Sequence, residues 1–93
     1  MDNVEAKSLL RSHLETYRSR TYADLVALLG ATEVAQLTGA TGVEYQVEID
    51  AHWDDRAGGN VRVIGSIDDG GWRAFMPLCD SFIMAPDGPF IGE

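Results

Sequence analysis

From Val43 to Trp53 the chain alternates without interruption. Val43, Tyr45, Val47, Ile49, Ala51 and Trp53 fall on one side, and Glu44, Gln46, Glu48, Asp50 and His52 on the other. A period of two marks a strand with one buried face, because successive side chains of extended backbone point in opposite directions. Nearer the start the period is different. Leu9, Leu10, Leu14 and Tyr17, with Ala6 and His13 on the same stripe, recur at three-to-four spacing and predict an amphipathic helix over about 3–18. Thr21 followed by Asp24 has the form of an N-cap, and Gly30 is a natural C-cap, so a second short helix is expected from Tyr22 to Leu29.

Beyond Gly30 the period becomes two. Glu33 to Thr38 is a further expected strand, which Gly39-Ala40-Thr41-Gly42 turns back into the long alternating one. The Gly-rich turn Asp54 to Gly59 leads into a strand over Asn60–Asp68. Asp69-Gly70 favours a two-residue turn, predicting a return strand over Gly71–Leu78.

These turns set an expected register. Trp53 faces Val61, Asp50 faces Ile64 and Glu48 faces Ser66, while on the other side Ile67 faces Trp72 and Ile64 faces Phe75. Tyr45, Val47, Ile49, Trp53, Val61, Val63, Ile67, Trp72, Ala74 and Met76 then share the face that the helices should cover. Pro77 donates no ladder hydrogen bond, so its strand should be an edge or carry a bulge. Ala85-Pro86-Asp87-Gly88 predicts a small terminal hairpin, or a tail folding back on the sheet.

The fold expected is a single α+β domain over 1–93, with helices at about 3–29 and a sheet at about 33–92. Its two N-terminal helices cover one face of a mainly antiparallel sheet of about four or five strands.

Charge adds a direction to this picture. The net charge is −8, and residues 1–32 balance four acids against four bases, whereas residues 33–93 carry eleven acids against Arg56, Arg62 and Arg73. Such a surface repels phosphates and anionic membranes, so neither nucleic acid nor membrane is an expected partner. Solubility of a small domain is the ordinary use of such charge. One cysteine, Cys79, excludes an internal disulfide, and no early apolar run has the length of a signal peptide or membrane span; the expectation is a soluble, cytoplasmic protein.

Candidate chemistry is sparse. Asp54, Asp55, Asp68 and Asp69 lack the alternate spacing of a calcium loop, and turn propensity accounts for all four. Gly39 to Gly42 lacks the lysine and helix of a phosphate-binding loop, and Pro86 to Pro89 matches a proline-rich ligand only through a turn dipeptide. His52 and Cys79, with Asp50 or Asp80 as orienter, form the sharpest catalytic idea. In the expected register they lie two strands apart, roughly 10 Å, where nucleophile activation needs contact near ~3 Å. His13 reads as a boundary histidine of the helix stripe, and Trp53 and Trp72 as core aromatics. No motif implies a catalytic residue, a metal or a cofactor.

Trp53-Asp54-Asp55, Gly58 to Val63, Ile67 to Phe75 and Ala85 to Gly88 together resemble a group of small bacterial proteins of uncharacterised function. The resemblance spans residues 20–93 and implies a bacterial α+β domain with no activity attached.

The expected function is a non-enzymatic protein-interaction module. Its binding face holds Ile64 and Phe75 with Asp50, Glu48 and Arg73 around them, an apolar spot inside a polar rim. A terminal segment around Phe90 and Ile91 packing over that spot is the ordinary competitor. The alternative function is a small-molecule site or enzyme with a pocket between helices and sheet, lined by Tyr17, Tyr22, Tyr45 or Trp53. A third reading has the acidic half mimic nucleic acid toward a basic protein. No pattern sets the oligomeric state.

Overall fold

The computed structural model describes residues 2–70, 77–87 and 90–91. Helix α1 covers Asn3–Arg18 and helix α2 covers Tyr22–Val26; strands follow at Thr32–Thr38 (β1), Glu44–Trp53 (β2), Val61–Asp68 (β3), Leu78–Met84 (β4) and Phe90–Ile91 (β5). The strands form one antiparallel sheet in the order β1-β2-β3-β4-β5, each beside its neighbour in sequence.

Helix α1 starts where Asp2 accepts the Glu5 N–H at 3.0 Å, satisfying one of the donors that a helix N-terminus leaves open. Its stripe of Ala6, Leu10, Leu14 and Tyr17 is buried and seats on β3 and β4. Helix α2 opens at Thr21, whose hydroxyl accepts the Asp24 N–H at 3.1 Å, and buries Leu25. It ends earlier than its sequence predicts, at Val26. Leu28 and Leu29 then bond back to the carbonyls of Leu25 and Val26, a tighter three-residue winding, before Gly30 turns the chain at φ +79°.

The pairing of β2 with β3 follows the expected register throughout, including Trp53 with Val61, Asp50 with Ile64 and Glu48 with Ser66. The next pairing does not. Leu78–Met84 lies against β3, with Ile67 facing Leu78, so the partner segment is displaced six residues from the predicted one. Ile64 stands between Asp50 and Ser81, which corrects its predicted pairing with Phe75. Asp68 does cap a turn, accepting the Gly70 N–H at 2.8 Å with Gly70 at φ +82°, and β3 pairs with Leu78–Met84 beyond it. Trp72, Arg73, Ala74, Phe75 and Met76 lie outside the described residues.

Pro77 immediately precedes β4, where its missing N–H costs no ladder bond. The displacement is even, so the faces survive it: Phe82 and Met84 join Tyr45, Val47, Ile49, Ala51, Val61, Val63 and Ile67 beneath the helices. The terminal hairpin is present, with Met84 paired to Phe90.

Gly65 determines how closely the helix approaches. A β-carbon there would lie 2.8 Å from Leu10 Cδ1 and 3.2 Å from Leu14 Cδ2, so the two leucines occupy the space that any other residue's side chain would fill. The axis of α1 is thereby held over β3, and β1, two strands and roughly 9.6 Å away, lies at the margin of its cover.

Candidate protein-binding face

Opposite the helices, the sheet presents rows of side chains read directly from the ladders. Thr32, Asp50, Ile64 and Ser81 make one row, and Val34, Glu48, Ser66 and Cys79 the next. His52, Arg62 and Ile83 form a row above, and Gln36, Gln46 and Asp68 one below. Both helices lie on the other side.

Carboxylates on this face are held by neutral groups. Thr32 donates its hydroxyl to Asp50, Thr38 donates to Glu44 at 3.0 Å, and the Gln46 amide donates to Glu48 at 3.3 Å. Among the described residues the arginine on this face, Arg62, is already engaged: its Nε and a terminal nitrogen lie 3.0 and 2.9 Å from Asp54 Oδ1. Glu48 and Asp50, two residues apart on one strand face, therefore sit about 7 Å apart along the backbone with no ion pair to either among the described residues. Both are half-buried, as is Ile64 between them and β4.

Two apolar residues enter this face that sequence reasoning missed. Val34 stands 58% exposed beside Glu48, and Ile83, 6% exposed, lies diagonal to Ile64. Carrying the hairpin loop of Gly39 to Gly42 through to a register would have found Val34, since its strand was expected. Ile83 breaks the alternation of β4 and carries no local signal. Glu48, Asp50 and Ile64 are brought together; Phe75 and Arg73 lie outside the described residues.

His52 and Cys79 share the face with β3 between them, and they also differ by four positions along the ladders. Their backbones are thus about 17 Å apart, further than the sequence reading required, and no His–Cys contact forms. Among the described residues no three His, Cys, Asp or Glu side chains converge to hold a metal ion. Nor is any helix among them long and apolar enough to cross a membrane.

On the helix side the polar groups are spent on the fold. Tyr45 donates to Glu5 at 2.8 Å, and the other Glu5 oxygen accepts the Ala40 N–H at 3.0 Å, tying α1 to the β1–β2 loop. Tyr22 donates to the Gly59 carbonyl at 2.6 Å, and Tyr17 to Glu33, which Arg20 also approaches at 3.8 Å. The hydrogen bond to Glu5, aided by burial, pushes the Tyr45 hydroxyl up to about 12, and burial followed by Glu33 does the same for Tyr17. No protein-family model matches the chain, and no curated protein or solved structure matches it either.

Proposed function

We propose that this domain is a non-enzymatic interaction module whose outer sheet face, centred on Glu48, Asp50 and Ile64, engages a basic surface of another protein. Phe75 and Arg73 belong to the same proposal from sequence. The observation that carries it is the hydrogen bonding of the face: Asp50, Glu44 and Glu48 are oriented by hydroxyls and an amide, which leave their charge available. A partner's Lys or Arg meeting these carboxylates beside Ile64 and Val34 gains both charge pairing and apolar contact.

The pocket reading finds less support. The hydroxyls of Tyr17, Tyr22 and Tyr45 are each committed to a separate structural bond, so they do not converge on one cavity.

The test is affinity capture from native cells with the wild-type domain and with Glu48→Lys/Asp50→Lys, both confirmed folded. Basic proteins enriched by the wild type should be lost with the reversed charges and should elute as salt rises. Equal capture by both forms would show that the face takes no part.

A further inference from the structure

The two edges of the sheet are built differently. Among the described residues β5 covers β4 only at Ile83 and Met84, so the far edge is divided between two strands, whereas β1 forms one edge of seven residues, Thr32–Thr38, without proline, lysine or bulge. Among the described residues no strand pairs with its far side.

The register shows what that edge offers. Gly39 donates its N–H to the Val43 carbonyl at 2.7 Å, so this is a bonded pair of the antiparallel ladder. Bonds alternate, which assigns them next to Leu37–Tyr45, Ala35–Val47 and Glu33–Ile49. The N–H and C=O groups of Thr32, Val34, Gln36 and Thr38 therefore point away from β2, and all four residues are exposed. Glu33, the one charge on the strand, is drawn back by Tyr17 and Arg20.

Each side of this edge suits a different kind of side chain. On the helix side, Leu9, Ser12, His13, Thr16 and Leu37 line an open depression of about 240 Å³ between α1 and β1. On the outer side, Val34 gives an apolar surface along which a long cationic stem can lie, with Glu48 directly across the ladder and Asp50 beside it.

We infer that β1 accepts an added strand from a partner protein, an extended segment in which apolar residues alternate with Lys or Arg. Backbone bonds to Thr32, Val34, Gln36 and Thr38 supply affinity, the depression takes the apolar side chains, and the acidic face takes the cations. A second copy of this chain fits less well, because its own net charge of −8 meets the same acidic face. The inference rests on the proposed function and adds the mode of engagement.

The probe is the peptide acetyl-Arg-Val-Arg-Val-Arg-Val-Arg-amide, followed by amide shifts and hydrogen exchange of the whole chain at low salt. Shifts and slowed exchange at Thr32, Val34 and Gln36 are expected. Gln36→Pro, which removes an outward N–H and leaves the β1–β2 ladder intact, should weaken binding about tenfold or more. Val34→Lys, at a position 58% exposed and outside the core, should weaken it as well, and the same peptide with Glu for Arg should not bind.

If shifts centre on Glu48, Asp50 and Ile64 and Gln36→Pro binds unchanged, strand addition is overturned and the interaction face stands. Absence of binding at low salt overturns both. A concentration-dependent dimer in sedimentation that disappears in Gln36→Pro assigns the edge to a second copy and overturns the basic partner.

Discussion

Replacing Gly65 by alanine tests whether the seat of α1 on the sheet is as tight as the geometry shows. The new methyl carbon would stand 2.8 Å from Leu10 Cδ1 and 3.1 Å from Ile49 Cδ1, whereas carbon contacts are comfortable near ~3.5–4.0 Å. Leu10 must withdraw by about 1 Å, yet it is 1% exposed and hemmed by Leu14, also at 1%. Overpacking of this kind costs about 1–3 kcal/mol, and the lower entropy of an unfolded alanine returns roughly 0.4–1 kcal/mol. The expected net loss is about 1 kcal/mol, read as a midpoint roughly 1 M lower in urea or a Tm some ~4–8 °C lower.

A double-mutant cycle makes the test specific. Leu10→Ala in the wild type should cost about 2–5 kcal/mol. In the Gly65→Ala background it should cost less by at least ~0.5 kcal/mol, because the methyl group occupies part of the space vacated. A neutral or stabilising Gly65→Ala, or strict additivity, would refute the close approach of α1 to β3.

Other expectations concern caps, ion pairs and pH. Asp2→Ala removes the acceptor for the Glu5 N–H and should lower stability by about 0.5–2 kcal/mol in urea titration, with Asp2→Asn close to wild type. Arg62→Ala breaks an ion pair that is open to solvent, and its effect on stability should stay below about 1 kcal/mol. The hydroxyls of Tyr17 and Tyr45 are raised from 10.0 to about 12, so the protonated form is favoured in the native state. Their contribution is complete below the unfolded value and is lost as pH rises from 10.0 to about 12; Tyr45→Phe should flatten that loss in stability measured against pH, and an unchanged slope would remove the Glu5 bond as its cause.

Local signals were legible where one segment satisfied both turn and pattern. Asp54 to Asn60 closes with an Asp54 N–H to Asn60 carbonyl bond of 2.9 Å, and the strands on either side alternate cleanly, so every β2–β3 pair was readable. At β4 the two signals disagreed. Asp69-Gly70 invited a tight hairpin, while the strand that pairs, Leu78–Met84, has an acid, Asp80, on the helix side and Ile83 on the outer side. Asp80, opposite Gly65, is only half-buried, and its own carboxylate accepts the Ser81 N–H at 2.8 Å. An acid on the helix side and an isoleucine on the outer side leave no trace in the period. The acidic members of the candidate face were legible because they lie on β2; Val34 needed the register of an edge strand.

The seating of α1 also governs the order in which this chain can fold. Each strand finds its partner next in sequence, which makes hairpins quick to close. The helix stripe does not: Leu10 and Leu14 wait for Gly65 on β3, and α1 also waits for β4. At ribosomal rates Leu10 is synthesised roughly 4–14 s before Phe82. During that interval the apolar side of α1 has no sheet to cover it, so the newly made chain is most open to chaperones and to aggregation along this helix.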